Sequence, residues 1–372
     1  MKKFTTIAIL LLLGHFAKAQ VIIIKESGTP SPAVGGLALP FTDARHAALG
    51  DAGAATSTDY ADIFYNPAKT AFANKKFGFY GSYPSLYSSK NGDLARIGAY
   101  YKIPKNKGSV SINYTSFNFY CPPNANCLPM PFDWALGANY AKKLSAKFSY
   151  GLGLKYIQSS FVDLSYIGSI QLKPAKTIAA DISIFHQSND STKLININYG
   201  VYISNISGRI NYGGKEENYI PTNLRIGIAP TIKISNNSNF TIAIDANKLM
   251  IPTPTYDNNG RLIPTKTAIG GILGSFSDAP GGLKEELQEV TWSIGAEYWY
   301  KNKFALRIGK FIESENKRGG NYTTYGVGLK IIESVNIDLS YLNDVSNNLF
   351  NRKLYGTNGN LWRANITFGL GK

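Results

Sequence analysis

Apolar and polar residues alternate along most of this chain. In VNIDLSY, Val335, Ile337, Leu339 and Tyr341 fall on one side and Asn336, Asp338 and Ser340 on the other. TWSIGAEYWY sets Trp292, Ile294, Ala296 and Tyr298 against Ser293, Gly295 and Glu297. LWRANITFGL does the same with Trp362, Ala364, Ile366 and Phe368 against Arg363, Asn365 and Thr367. Successive side chains of a strand point to opposite faces, so this period of two predicts β-strands with two unlike sides. Fourteen such runs are predicted, centred near residues 80, 98, 113, 137, 153, 181, 198, 227, 245, 295, 307, 327, 338 and 366. No comparable helical period persists.

The connections between the runs alternate in length. Pro104 to Lys107, Leu144 to Lys147, Lys301 to Asn302 and Ile332 to Glu333 are short, whereas Tyr120 to Met130, Asn205 to Thr222, Ile251 to Gln288 and Asn343 to Asn360 are long. An antiparallel meander of this kind has two unlike ends, as outer-membrane barrels do with their long outer loops and tight periplasmic turns. The expected fold class is all-β: a transmembrane antiparallel β-barrel of about 14 strands spanning residues 76–372. A propeller would show internal repeats of roughly 40 residues, and none is found. A sandwich has no need of the long and short asymmetry. Aromatic strand ends such as Tyr100-Tyr101 and Tyr298-Trp299-Tyr300 suit interfacial girdles. The mean hydropathy of −0.13 fits as well, because only alternate residues face lipid.

Composition adds the route of export. MKKFTTIAILLLLGHFAKAQ carries a charged start, a short apolar run and Ala17-Lys18-Ala19, so residues 1–19 are expected to be a signal peptide cleaved before Gln20. The apolar run is too short for a retained anchor helix, and the absence of cysteine after the site argues against a lipoprotein. The remaining chain has 36 basic and 24 acidic residues, a net charge of +12 (36 − 24). The basic residues are scattered among turns rather than gathered in a stripe, which points to membrane lipid and away from nucleic acid.

Candidate chemistry is sparse. Cys121 and Cys127 stand close together in an exported chain and are expected to form one local disulfide. His46 and His186 are the only histidines after residue 19, too few for a zinc centre or a histidine-based triad, and both read as structural or exposed. No nucleophile elbow, zincin motif or phosphate loop is present. Glu285 and Glu286, beside Lys284, are explained by a solvated helical turn. The chain is therefore expected to be no enzyme and to need no cofactor or metal.

Residues 20–75 precede the first strand and are too long for a mere leader. Eight strands already enclose a filled interior, so fourteen leave a lumen to occupy. In DYADIFYNPAKTAF, Asn66 is held extended by the following proline and can cap a turn starting at Pro67. Phe64, Tyr65, Asn66 and Pro67 are the expected core of a lumen plug; an ordinary proline turn before a strand is the alternative.

FTDARHAALGDAGAATSTDYADIFYNPAKTAF resembles the N-terminal signature of the FadL-like barrels, and particularly of the PorV/PorQ family. NLRIGIAPTIKI, AIDANKLMIPTP, TYGVGLK and the stretch from Ser275 to Phe311 extend the resemblance over roughly residues 40–370. DAPGGLKEELQE, Asp278 to Glu289, is its most specific part. VIIIKESGTPSPAVGG and the Cys121/Cys127 loop depart from it. The resemblance implies a FadL-like barrel with an N-terminal lumen plug that serves type IX secretion in Bacteroidota without itself being the conduit. It further implies partners: the translocon barrel SprA (Sov), cargo proteins bearing a C-terminal signal domain, and the surface attachment complex of PorU, PorQ and PorZ.

The connection from Ile251 to Gln288 is the longest and lies outside by strand parity. Leu262, Ile269, Leu273, Phe276, Asp278, Pro280 and Leu283 are its candidate partner-binding residues, with Ile263 and Ile272 adding to its apolar content. Apolar surface of that extent calls for a partner or lipid to cover it, unless the loop folds back over the barrel mouth. The runner-up function is a FadL-like transporter of hydrophobic small molecules. A general porin would require an open lumen.

Overall fold

In the computed structural model the alternating runs pair into one closed sheet. The structure describes residues 43–83, 92–119, 132–160, 173–213, 217–253, 267–317, 319–345 and 361–371. Strands β1 (Phe77–Tyr83), β2 (Gly92–Lys102), β3 (Ser109–Phe119), β4 (Phe132–Lys143), β5 (Phe148–Ser160), β6 (Ala175–His186) and β7 (Ile195–Ser207) make half of the wall. The other half is β8 (Asn223–Lys233), β9 (Asn239–Leu249), β10 (Val290–Tyr300), β11 (Phe304–Ile312), β12 (Asn321–Ile332), β13 (Val335–Asp344) and β14 (Leu361–Leu370). Each strand pairs antiparallel with its sequence neighbours, and β1 returns to β14 with Phe77 opposite Leu370 and Tyr83 opposite Ala364. Closure leaves no sheet edge, so strand backbone groups pair within the wall and not with lipid.

The two faces follow the sequence period. Ile337 is 40% exposed and its neighbour Asp338 6%. Ile97, Ile112, Leu154, Ile178 and Ile366 likewise point outward, and Ser111, Asn139, Asp245, Ser293 and Glu297 point inward and are buried. Among the described residues no helix is long and apolar enough to cross a membrane; the crossing is made by strands.

What buries the inward polar side chains is residues 43–76. Helix α1 (Ala44–Ala47) leans on β12, β13 and β14, helix α2 (Asp62–Tyr65) on β2 and β3, and a 3-10 helix (Pro67–Phe72) on β4, β5 and β6. The segment thus touches walls on opposite sides of the lumen. Its turns are capped locally. Asp43 accepts from the His46 backbone N–H at 3.0 Å. Asn66, extended at φ −168°, accepts from the Ala68 N–H at 3.2 Å just before Pro67 at the first helical position. Where the segment's backbone meets the wall the wall is glycine. A Cβ on Gly309 would collide with the Gly50 nitrogen and the Leu49 carbonyl carbon, and one on Gly200 with the Ala54 carbonyl.

At the other end of the loops, helices α3 (Ala268–Gly274) and α4 (Leu283–Gln288) sit in the connection between β9 and β10. Cys121, Cys127, Leu262 and Ile263 lie outside the described residues, as do residues 1–19.

Candidate functional site

Two features stand out: the filled lumen and the outer loop between β9 and β10. In the lumen the N-terminal segment is held by charge. Arg45 donates to both oxygens of Glu297 on β10, at 3.0 and 2.9 Å, and to Asp59 at 2.8 Å. Glu297 also accepts from Arg307 on β11 at 2.7 Å, and Arg307 reaches Asp338 on β13 at 2.7 Å. Two strands further round the wall, Arg225 of β8 donates to the Asp51 carbonyl at 2.7 Å and its carboxylate at 2.9 Å. Asp245 of β9 accepts from the Gly53 and Ala54 N–H groups at 2.7 and 2.9 Å. Those contacts between the segment and the wall join chain positions far apart in sequence, and each compensates a charge whose burial would otherwise be costly.

Tyr65 is buried, donates to Asp51 at 2.9 Å and stacks on His46 with ring centroids 3.9 Å apart. Phe64 is half-buried beside Tyr80, with the Arg96 guanidinium 5.0 Å from its ring. Asn66 donates to the Ala54 and Ile184 carbonyls at 2.9 and 3.1 Å, which ties the capped turn to both the segment and β6. Pro67 is buried at the start of the 3-10 helix. The four residues singled out in the sequence are therefore brought together within the lumen.

The ion pairs around them carry no sequence signal. Lys69 is fully buried, paired with Asp62 and donating to the Gly53 carbonyl at 3.1 Å and Thr56 at 3.0 Å. Burial pushes the Asp62 carboxyl up to about 6 despite Lys69. Burial acts the same way on Asp43, but the charge and hydrogen bonds of His46 outweigh it and hold Asp43 at about 2. A ring nitrogen of His46 and carboxylate oxygens of Asp59 and Asp62 lie within 4.8 Å of one another, as metal ligands would. Arg45 and Lys69 already neutralise both carboxylates, and Asp43 takes the His46 Nδ1 at 2.8 Å, so the group is a set of compensated ion pairs.

Beside the segment a cavity of about 60 Å³ is lined by Phe64, Arg96, Asn113, Lys155, Ser204 and Asn205 among others. Ligand pockets for small molecules run to roughly 300–1,000 Å³ and are mostly apolar. Asn205 enters it from a bulge, at φ 59°, where the β6 and β7 register shifts.

The outer loop is built on buried acids. Glu286 pairs with Lys248 of β9 at 3.0 Å and accepts from the Ala279 N–H at 2.8 Å. Glu285 pairs with Lys317 at 2.8 Å and accepts from the Gly281 N–H at 2.7 Å. Glu289 joins the two lysines, at 2.7 Å from Lys248 and 3.1 Å from Lys317. Glu285 and Glu286 are thus buried anchors and not the solvated helical turn expected from the sequence. Their cationic partners stand on β9 and in the connection after β11, about 30 to 40 positions away, where no local pattern pairs them. Hydrogen bonds to Glu285 and Glu289 raise the Lys317 pKa against the opposing effect of burial. Asp278 accepts from Thr253 at 3.2 Å, and Gly282, at φ 65° and ψ −153°, occupies backbone space that only glycine adopts readily.

With its acids turned inward, the loop turns its apolar side chains outward. Ile269 is 68% exposed, Leu273 70%, Phe276 46% and Leu283 75%, and Pro280 is exposed beside them. Leu287, which sequence reading passed over, is 62% exposed one helical turn after Leu283. The described part of the loop does not fold over these residues.

Solved barrels share the architecture. The Ralstonia pickettii toluene transporter TbuX is 10% identical with a TM-score of 0.51, over 88% of this chain and 96% of that one. The CymD monoaromatic hydrocarbon channel is 10% identical with a TM-score of 0.53, over 89% and 98%. The Pseudomonas putida toluene transporter TodX is 10% identical with a TM-score of 0.50, over 90% and 99%. At these identities the likeness establishes the fold alone. No curated protein matches the chain. The sequence itself speaks to family: residues 31–256, more than half of the chain, match the family described as Type IX secretion system protein PorV, and the chain belongs to that family.

Proposed function

We propose that this outer-membrane barrel is a docking component of type IX secretion and not a conduit. Its outer loop between β9 and β10 receives the translocon barrel SprA or the C-terminal domain of cargo, and the protein passes cargo on to the surface attachment complex. The observation that carries the reading is the outward apolar face of Ile269, Leu273, Phe276 and Leu283, held by the buried Lys248 and Lys317 carboxylate network. A soluble surface gains nothing from such a face unless a partner covers it.

The alternative, a transporter of hydrophobic small molecules, finds less support. Residues 43–76 contact the inner wall among buried ion pairs, and the described cavity beside Phe64 and Arg96 is small and polar. Replacing Leu273 and Phe276 together by aspartate tests the docking reading. Charge in an apolar contact costs several kcal/mol unless the contact opens to water, so secretion should cease while barrel abundance and heat-modifiability stay normal. Normal secretion by the assembled double variant would remove the loop from the mechanism.

A further inference from the structure

The net charge of this protein is distributed unequally between the two ends of the barrel. Take the short-turn end as residues 74–79 together with the six tight turns and the three residues on either side of each. It holds thirteen lysines, no arginine and two carboxylates, Asp190 and Glu333, a net +11 (13 − 2). The sequence of the seven long connections, counted with the same margins, carries sixteen basic and thirteen acidic residues, a net +3 (16 − 13). The two ends have similar numbers of basic residues, so the contrast comes from the near absence of acids at the short-turn end.

The lysines encircle the rim. Each turn joins strands adjacent in a closed sheet, so the six turns and the seam at β1 span the circumference, and lysine accompanies every one. A protein partner would engage one arc. A leaflet of lipid surrounds the whole ring.

Depth points the same way. Outward aromatics lie at this rim, and lysines lie against them. The Lys76 ammonium is 5.6 Å from the Phe77 ring and 5.8 Å from that of Tyr101, and Lys301 is 5.1 Å from Tyr300. Aromatic rings of this kind settle at the headgroup level, and lysine carries its charge to the same level on a flexible apolar stem. Lysine is also the compact, strongly hydrated cation that meets a phosphate as a point charge, without the planar fork of arginine.

We infer that the short-turn rim is a binding surface for anionic phospholipid headgroups, such as phosphatidylglycerol or cardiolipin, in the periplasmic leaflet. The ring draws these lipids into the annulus around the barrel and fixes its vertical position. The site is independent of the outer loop, and its test does not use secretion.

The test compares full-length protein with a variant carrying Lys107→Gln, Lys142→Gln, Lys147→Gln, Lys193→Gln, Lys233→Gln and Lys303→Gln. All six side chains are exposed at the rim, and none has a positive φ. Both proteins are placed in nanodiscs of mixed phosphatidylglycerol and phosphatidylcholine, and the lipid retained after brief detergent extraction is quantified. The native protein should retain phosphatidylglycerol over phosphatidylcholine about tenfold beyond the bulk ratio, with the enrichment falling steeply in 0.5 M salt. The variant, confirmed to be heat-modifiable, should lose most of that enrichment. Equal retention of the two lipids by the native protein would overturn the proposal, as would unchanged enrichment in the variant. Complete displacement by equimolar inorganic phosphate would reduce the ring to an ion exchanger and overturn it too. Binding of a soluble acidic peptide without any discrimination between lipids would assign the ring to a protein and refute the lipid surface.

Discussion

Replacing Lys248 by methionine should release the outer loop while sparing the barrel. The Lys248 side chain is 7% exposed, and its ammonium lies 3.0 Å from Glu286 and 2.7 Å from Glu289, themselves 7% and 4% exposed. Methionine preserves the apolar stem but leaves Glu286 with no cation among these contacts. Glu289 keeps Lys317 at 3.1 Å, so one of the two carboxylates stays compensated. Breaking a buried pair by removing one partner costs about 3–5 kcal/mol, and the retained Lys317 contact places this change near the lower end, about 3 kcal/mol. At 1.4 kcal/mol per decade that raises the population of the opened loop by roughly a hundredfold. The strand pairing between β9 and β10 is made by backbone and survives the change. Glutamyl endopeptidase supplies the assay. Glu285 and Glu286 are buried and become cleavable only when α4 leaves its seat, so the cleavage rate between Asp278 and Glu289 reports the opening constant when reclosing is fast. The expected result is about a hundredfold faster cleavage in a barrel that still shifts on unheated gels, accompanied by loss of secretion. Cleavage at the native rate would show that the carboxylate network does not hold the loop.

Two further outcomes follow from the geometry and one from the sequence. Asn66→Ala with Pro67→Gly removes the cap and the preset turn, a loss of about 1–2 kcal/mol; single-channel conductance and antibiotic permeability should rise, and an unchanged conductance would separate the turn from lumen closure. Asp62 titrates near 6 in the folded chain against 3.8 when free, so the folded state takes up its proton first. A raised carboxyl pKa destabilises the ionised fold, and that cost is relieved as pH falls from 7 to 5 by about 1 kcal/mol. Urea unfolding of the native barrel should therefore show this gain and Asp62→Asn should flatten it; parallel curves would exclude Asp62 as the source. Cys121 and Cys127 should form an intramolecular disulfide worth at most ~3 kcal/mol, dispensable for barrel assembly, and two free thiols in unreduced peptides would exclude it.

The strands were legible because their signal is local. Each run of alternating residues declares its own two faces, and the unequal connections declare two unlike ends. Fourteen strands therefore emerge from the sequence at the positions where the sheet places them. The turn at Asn66-Pro67 was legible for the same reason, since a cap and a proline act on neighbouring backbone. The apolar content of the outer loop could be counted, although which of its residues face solvent could not. Residue chemistry alone does not disclose the partners of a charge. Arg45 meets Glu297 across 252 positions, Ala44 meets Asn365 across 321, and Glu286 meets Lys248 only once β9 and β10 lie side by side. Barrel closure makes the first two pairs by bringing distant strands to the same lumen, and β9–β10 pairing makes the third; burial leaves an unpaired polar or charged group costly in each case. The rim of lysines has the same origin. Scattered along the chain they read as solvated turns, and the up-and-down topology of a closed sheet gathers them at one end.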